Sequence, residues 1–473
     1  MFQVTRFTLQ LFVRGSMLPV FAVLLTLFTL LAGWNQIQRQ NSRWQAYQQA
    51  TQTVRADWEN QGAQNPHSSA HYGHYAFLPV SPWQSIDPGV VRFTGTMLRL
   101  EGHMQHEPVF SAASEEGVMS RFPEVSLAWM IQTLLPLLVI LLGFGIVASE
   151  REQQTWKWQV LQGVTPKKLL FGKGLALSIV VQGMLAWMVG IQALMDGLLA
   201  ADSGGGSVGW QFMFWWLSQA IYVQWFVFLI LLISSWAKSA RQALMVGLST
   251  WLLLVVLLPR VAADWSAKQH PLPTRVMFNR QLAEDRKKGI NGHDPQDERA
   301  RRFEDSLLKV YKVDSLSQLP VNADGLIMQA DEVYSNQVYD LHFSRVRQTL
   351  LQQISWARWF GVVSPTISAQ QLSMGLAGTD VHAYLHFTRT AEDYRRYLIE
   401  ALNHKMAYGG SKTGDWDWTV DASYFKDLRD YSYTPLTLNG IWRAYQRDVF
   451  LLVGWLLILF AALVWSGKRM PLI

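Results

Sequence analysis

Histidine is the side chain most suited to chemistry in this sequence, and its spacing sets the first question. His382 and His386 stand four apart in a stretch with helical periodicity, the separation two metal ligands need on one helix face. His71 with His74, or His103 with His106, could supply a third and fourth ligand. "HEPVF" at His106 opens like the H-E-x-x-H signature of zinc hydrolases, yet Phe110 takes the second histidine's place and Pro108 breaks the helix that signature requires. No general base stands at a protease spacing. Interior histidines hydrogen-bond backbone carbonyls far more often than they ligate metal. The sequence therefore predicts no catalytic residues and no metal, with these six histidines as the candidates if an ion binds. The histidine-rich stretch "NPHSSAHYGHYAFLPVSPW" reads as an ordered polar loop, because Pro66, Pro79 and Pro82, with Pro88 just beyond it, favour extended and turn conformations.

The elements that would position such residues are dominated by lipid-type segments. The chain has 473 residues, 50% hydrophobic and only 16% charged, with 22 tryptophans, a balance that points to a membrane protein. Its net charge of +6 is scattered without interleaved aromatic residues, which excludes a nucleic-acid groove. The absence of cysteine excludes disulfides and thiolate chemistry. Six segments are apolar enough to span a bilayer: about Met17–Trp34, Leu127–Ala148, Leu169–Met195, Trp210–Trp236, Ala243–Leu258 and Val449–Trp465. The first is too long for the apolar core of a signal peptide and lacks a cleavage pattern before Asn35, so it is expected to be retained.

Lys and Arg in the short connections fall on one side if the chain crosses six times, while the loop "ADSGGGSVG" on the other side carries Asp202 and no basic residue. Both termini are then cytoplasmic. The expected organisation is an amphipathic elbow over 1–16, a first span over 17–34, an outer region over 35–126 that begins as a helical stalk, and spans two to five over 127–258. An outer, mainly helical region follows over 259–448, then a sixth span over 449–466 and a tail over 467–473. Helices are expected over about Thr274–Lys312, Asp324–Phe360 and Val381–Tyr408, then a loop with short strands from Gly409 to Asn439; the two outer regions are expected to fold together as one helical cap. Asp196 and Lys173 lie at span ends where both are expected to reach water, and no ionisable relay crosses the bilayer.

Between the second and third spans, over 149–168, Trp156, Val160, Leu161 and Val164 recur at helical spacing. Gly163 is a stop, and Thr165 with Pro166 opens the next helix. Such a helix exposes more apolar surface than a connector needs. Here the sequence resembles a known family. "LLPLLVILLGFGIVASEREQQTWKWQVLQGVTPKKLLFGKGLAL", with Glu150, Arg151, Glu152, Thr155, Gly172 and Lys173, is similar to the type-2 ATP-binding-cassette (ABC) transporter permeases. "GINGHDPQDERARRFEDSLLKVYKVDSLSQLPVNADGLIMQADEVYSNQVYDLHF" and "LSMGLAGTDVHAYLHFTRTAEDYRRYL" resemble the subgroup with a large extracytoplasmic domain of unknown function.

The resemblance implies an all-α permease of the bacterial inner membrane, most often an exporter. Glu150, Arg151, Glu152, Thr155, Trp156, Trp158, Val160 and Leu161 would couple it to a separate cytoplasmic ATPase, which would bind ATP and magnesium. A second copy or a similar permease, membrane lipid and a periplasmic or outer-membrane partner are the further associations expected; no nucleic acid is. The chain itself lacks a phosphate loop: "FGKGLAL" has neither the spaced first glycine nor the magnesium-binding hydroxyl. Two alternatives stand beside this reading. One is a mechanotransmitter that remodels an outer partner without moving cargo, and the other is a membrane metalloenzyme built on the histidines. The substrate is left open.

Overall fold

The protein is described by a computed structural model that covers residues 1–111, 113, 124–200 and 209–469. Asp202 and its glycine-rich loop, and the tail beyond 469, lie outside the described residues. The chain begins with α1 (Phe2–Arg14) and α2 (Met17–Glu59), then α3 (Pro66–Tyr72), β1 (His74–Phe77), β2 (Met97–Glu101) and β3 (Met104–Gln105). The membrane-type helices α4 (Leu127–Glu152), α6 (Pro166–Leu199), α7 (Gly209–Trp236) and α8 (Ala240–Gln269) follow, with the short α5 (Thr155–Leu161) between α4 and α6. The remaining elements are α9 (Arg275–Lys288), α10 (Gln296–Tyr311), α11 (Ala323–Trp359), α12 (Pro365–Ala377), α13 (Val381–Tyr408), α14 (Ala422–Asp427) and α15 (Leu438–Arg469).

Six of these helices, α2, α4, α6, α7, α8 and α15, are long and apolar enough to cross a membrane. The architecture is that of an all-α membrane protein. Their shared core centres on α7, where Trp215, Tyr222, Phe226 and Ile230 are fully buried. Prolines shape two of the spans. Pro136 and Pro259 each follow a wide-turn stretch, Met130–Leu134 and Leu252–Leu257, because a proline donates no N–H and its ring crowds the carbonyl a turn before it. Carbonyls in these stretches find side-chain donors: Tyr222 Oη donates to Gln132 O at 2.7 Å, Trp251 Nε1 to Thr133 O at 3.0 Å and Ser364 Oγ to Leu254 O at 2.7 Å. In an apolar core each would otherwise cost a few kcal/mol.

α12 is buried between α7 and α15. Gly375 permits this packing, since a Cβ there would lie 2.2 Å from the Tyr445 ring. Trp215 Nε1 donates to Ser373 Oγ at 2.7 Å, and Ser373 in turn donates to the buried Asp87 carboxylate. α12 ends at Gly378, whose φ is +65°, and Asp380 caps α13 through the N–H groups of His382 and Ala383. The sequence offers Gly378 as a stop and either Thr379 or Asp380 as the next cap, and the structure uses Asp380.

The polar regions do form one body. The far end of α2 places Trp58 in a core with Ala76, Leu100, Phe387, Leu398 and Phe425, where Trp58 Nε1 donates to Phe425 O at 3.0 Å. β1, β2 and β3 form a small antiparallel sheet with His74 opposite Leu100 and Glu101 opposite Met104. Arg395 of α13 is fully buried and closes the body, donating to Glu392, Asn336 and Glu332 and to Glu101 O.

Four expectations are corrected. The strands lie in the first polar region, whereas residues between Gly409 and Asn439 contribute a bridge from Val420 to Gln64 and the helix α14. The helix expected over Thr274–Lys312 is two, parted where Gly289 turns with φ of +87°. The histidine stretch opens as helix α3, because Pro66 fits the first helical position and Asn65 accepts the His67 N–H at 2.8 Å. Lys173 does not reach water: it is 2% exposed and paired with Glu150. Asp196 is half-buried and accepts from Gln192 at 3.0 Å.

Candidate functional site

At one end of the bundle α1, α5, the start of α6, the α7–α8 turn and the end of α15 come together. Thr5 Oγ1 of α1 donates to Gly172 O at 3.0 Å, and Trp236 Nε1 of α7 donates to Ser466 Oγ of α15 at 3.0 Å. The short helix α5 is built into this end from the residues before it. Gln154, with φ of +64°, reverses the chain after α4. Glu150 then acts as a node: it accepts from Gln159 Nε2 of α5 at 3.0 Å and pairs with Lys173 of α6, while its backbone carbonyl accepts from Thr155 Oγ1 at 3.2 Å. Arg151 Nη1 donates to Ser235 O at 2.7 Å, a cation at the C-terminal end of α7 where the helix dipole favours one. Glu152 accepts the Ala240 N–H at 3.1 Å, an anion at the start of α8.

The acidic-Arg-acidic turn thus clasps α5 to α6, α7 and α8. The apolar residues of this segment separate into two faces. Trp156 is 6% exposed and packs with Val160 and Val164 against the bundle, whereas Trp158 is 65% and Leu161 56% exposed. The eight residues that the sequence singles out for coupling therefore divide by position. Glu150, Arg151, Glu152, Thr155, Trp156 and Val160 fix the elbow, and Trp158 and Leu161 face outward beside the exposed Lys157, Lys167 and Lys168. Gly163, with φ of +89°, ends the elbow, and Thr165 Oγ1 caps α6 by accepting the Lys168 N–H at 3.4 Å.

Four of the six candidate histidines have unrelated partners. His386 bonds Thr434 O at 2.8 Å, and His106 bonds Glu101. His74 lies buried beside Trp58, 3.7 Å from Asp430. The His382 ring meets Tyr445 edge-on, and burial holds its pKa below the usual imidazole value. His71 and His103 do meet, joined by His67, which the sequence reading passed over although it stands four residues before His71. The ring nitrogens of these three offer ligand atoms all within 4.8 Å of one another. Burial, with the neighbouring His71 and His103, pushes the His67 pKa down to about 4. A cavity of about 430 Å³ opens beside His103, lined also by Arg299, Asp331 and Tyr334.

The model of a domain of unknown function, DUF3526, matches residues 275–434, from the start of α9 to just beyond α14. No curated protein matches the chain.

Proposed function

We propose that the chain is the permease subunit of a type-2 ABC exporter, coupled through α5 to a separate cytoplasmic ATPase that binds ATP and magnesium. The carrying observation is the elbow itself. A tryptophan and a leucine stand exposed on a short helix whose base is tied to α6, α7 and α8, so a push on Trp158 is delivered to three spans together. An exposed aromatic anchor on a rigid support is the kind of residue that dominates a protein interface. Arg6, Arg14, Lys157, Lys167, Lys168, Lys238, Arg241 and Lys468 belong to the same end, which the positive-inside rule assigns to the cytoplasm. On that assignment both termini are inside and the polar body lies outside; the resemblance to ABC permeases makes the membrane the bacterial inner membrane and that outside the periplasm. Exposed apolar side chains on α8 and α15, among them Met245, Leu253, Phe450 and Leu457, would face lipid and the second half of the transporter, a second copy or a similar permease.

A second reading keeps the ATPase but replaces transport with mechanical work on a periplasmic or outer-membrane partner. The continuity of α2 from its apolar segment to Trp58 in the polar core favours it. Because the chain has no cysteine, sidedness can be read from single-cysteine variants. Trp158→Cys should react with a membrane-impermeant maleimide only in inside-out vesicles, and Tyr72→Cys only in right-side-out ones. The reverse pattern, or purification from native membranes with no associated ATP hydrolysis, would overturn the proposal. Cargo flux in proteoliposomes separates the two readings.

A further inference from the structure

We propose that His67, His71 and His103 form a site for a divalent transition-metal ion, zinc or copper(II), with three imidazole ligands and one coordination position left open. His67 and His71 are one helical turn apart on α3, and their Nε2 atoms stand 3.1 Å from each other. Two ligands of a tetrahedral zinc ion with bonds of about 2.0–2.1 Å are roughly 3.3 Å apart, so this pair needs to open by only a few tenths of an ångström. The third ring comes from a different element. His103 occupies the β2–β3 turn with φ of +63°, a conformation that usually falls to glycine, and its ring centroid lies 5.3 Å from that of His71 and 5.7 Å from that of His67.

The two elements are locked together independently of any ion. Gly102 N donates to Ala70 O at 2.9 Å, and Arg99 donates to His71 O at 3.2 Å. The three rings are therefore held close by the fold, which removes most of the ordering cost of binding. His103 also has a carboxylate behind it. Its backbone N–H donates to Glu332 Oε2 at 2.9 Å, which fixes the turn that carries the ring, and the ring Nδ1 lies 3.7 Å from the same oxygen, an ion-pair distance and not a hydrogen bond.

The donor set decides the ion. Three neutral nitrogens without a thiolate suit zinc, copper(II) or nickel and disfavour magnesium and calcium, and copper(II) ranks highest on the affinity order for such ligands. Three protein ligands, an exposed His71 and the cavity beside His103 leave room for water or a further ligand, so the ion exchanges with solvent instead of being sealed in. This site does not depend on the permease reading.

The experiment uses the full chain in detergent, purified with a histidine-free tag and stripped with chelator, and titrated with zinc, copper(II) and magnesium ions. Expected are one zinc or copper(II) site per chain with a dissociation constant at or below micromolar, and no saturable magnesium binding. His71→Ala, an exposed position, and His103→Gly, which suits the local backbone, should each weaken binding at least 100-fold. His386→Ala, whose ring bonds Thr434, should bind as wild type does. Electron paramagnetic resonance of the copper form should show nitrogen couplings that both ligand variants lose. Absence of saturable zinc or copper binding would overturn the assignment. So would wild-type affinity in both ligand variants, or equal weakening in His386→Ala.

Discussion

On the proposed coupling, Trp158→Ala should disconnect the chain from a partner ATPase while leaving the fold intact. A buried tryptophan covers roughly 200 Å², and at 65% exposure about 130 Å² of Trp158 awaits a partner. At about 25 cal/mol per Å² this corresponds to about 3 kcal/mol, or about 150-fold in affinity, within the range measured for anchor residues at interfaces. Trp156→Ala, two residues away, should behave in the opposite way, because its ring is packed against the bundle and its loss leaves a cavity costing about 3–5 kcal/mol of stability. The assay is paired. Thermal unfolding in detergent reports the fold, and quantitative co-purification with nucleotide hydrolysis reports coupling. Trp158→Ala should keep the wild-type melting profile and lose its partner; Trp156→Ala should melt early. A Trp158→Ala protein that retains its ATPase at wild-type affinity would refute the assignment of the docking face.

Two further outcomes test the packing and the buried charges. Gly375→Ala should destabilise by about 1–3 kcal/mol, because its Cβ meets the buried Tyr445 ring at 2.2 Å, whereas Gly183→Ala, where nothing lies within 4 Å, should be neutral or gain up to about 1 kcal/mol from helix propensity; thermal unfolding of both variants decides. Burial raises the pKa of Asp87 from its usual 3.8 to about 6, against the hydrogen bonds donated by Ser373 and Gly89. The folded state then holds a proton that the unfolded chain releases, so this contribution is fully present below pH 3.8 and is lost as pH rises through about 6, amounting to about 3 kcal/mol. Asp87→Asn should flatten that part of the stability profile, and an unchanged slope would contradict it.

What could be read from the chain was whatever is decided locally. Apolar runs locate the six long helices, and short-range chemistry at Thr165 with Pro166, at Gly163 and at Gly378 with Asp380 locates their neighbours' ends. What escaped depends on distant partners. The burial of Lys173 is decided by Glu150, 23 positions away, and β1 pairs with β2 across an intervening loop. Helical spacing places Trp156 and Trp158 on different faces of α5 without saying which face the bundle covers. In the histidine stretch, the prolines read as a loop and hide the His67 and His71 pair, although Asn65 followed by Pro66 is a helix-opening signal. The third member, His103, joins them through the turn between β2 and β3, and no local pattern announces that.

α2 runs 43 residues without interruption, about 65 Å from end to end at 1.5 Å per residue. A helix that long, anchored at Trp58 by the polar core, has the geometry of a lever arm, and would act as one under the proposed function. A tilt of about 10° at its base swings the far tip by about 11 Å over that length, so a small rocking of the bundle becomes a displacement comparable to the width of the helix itself.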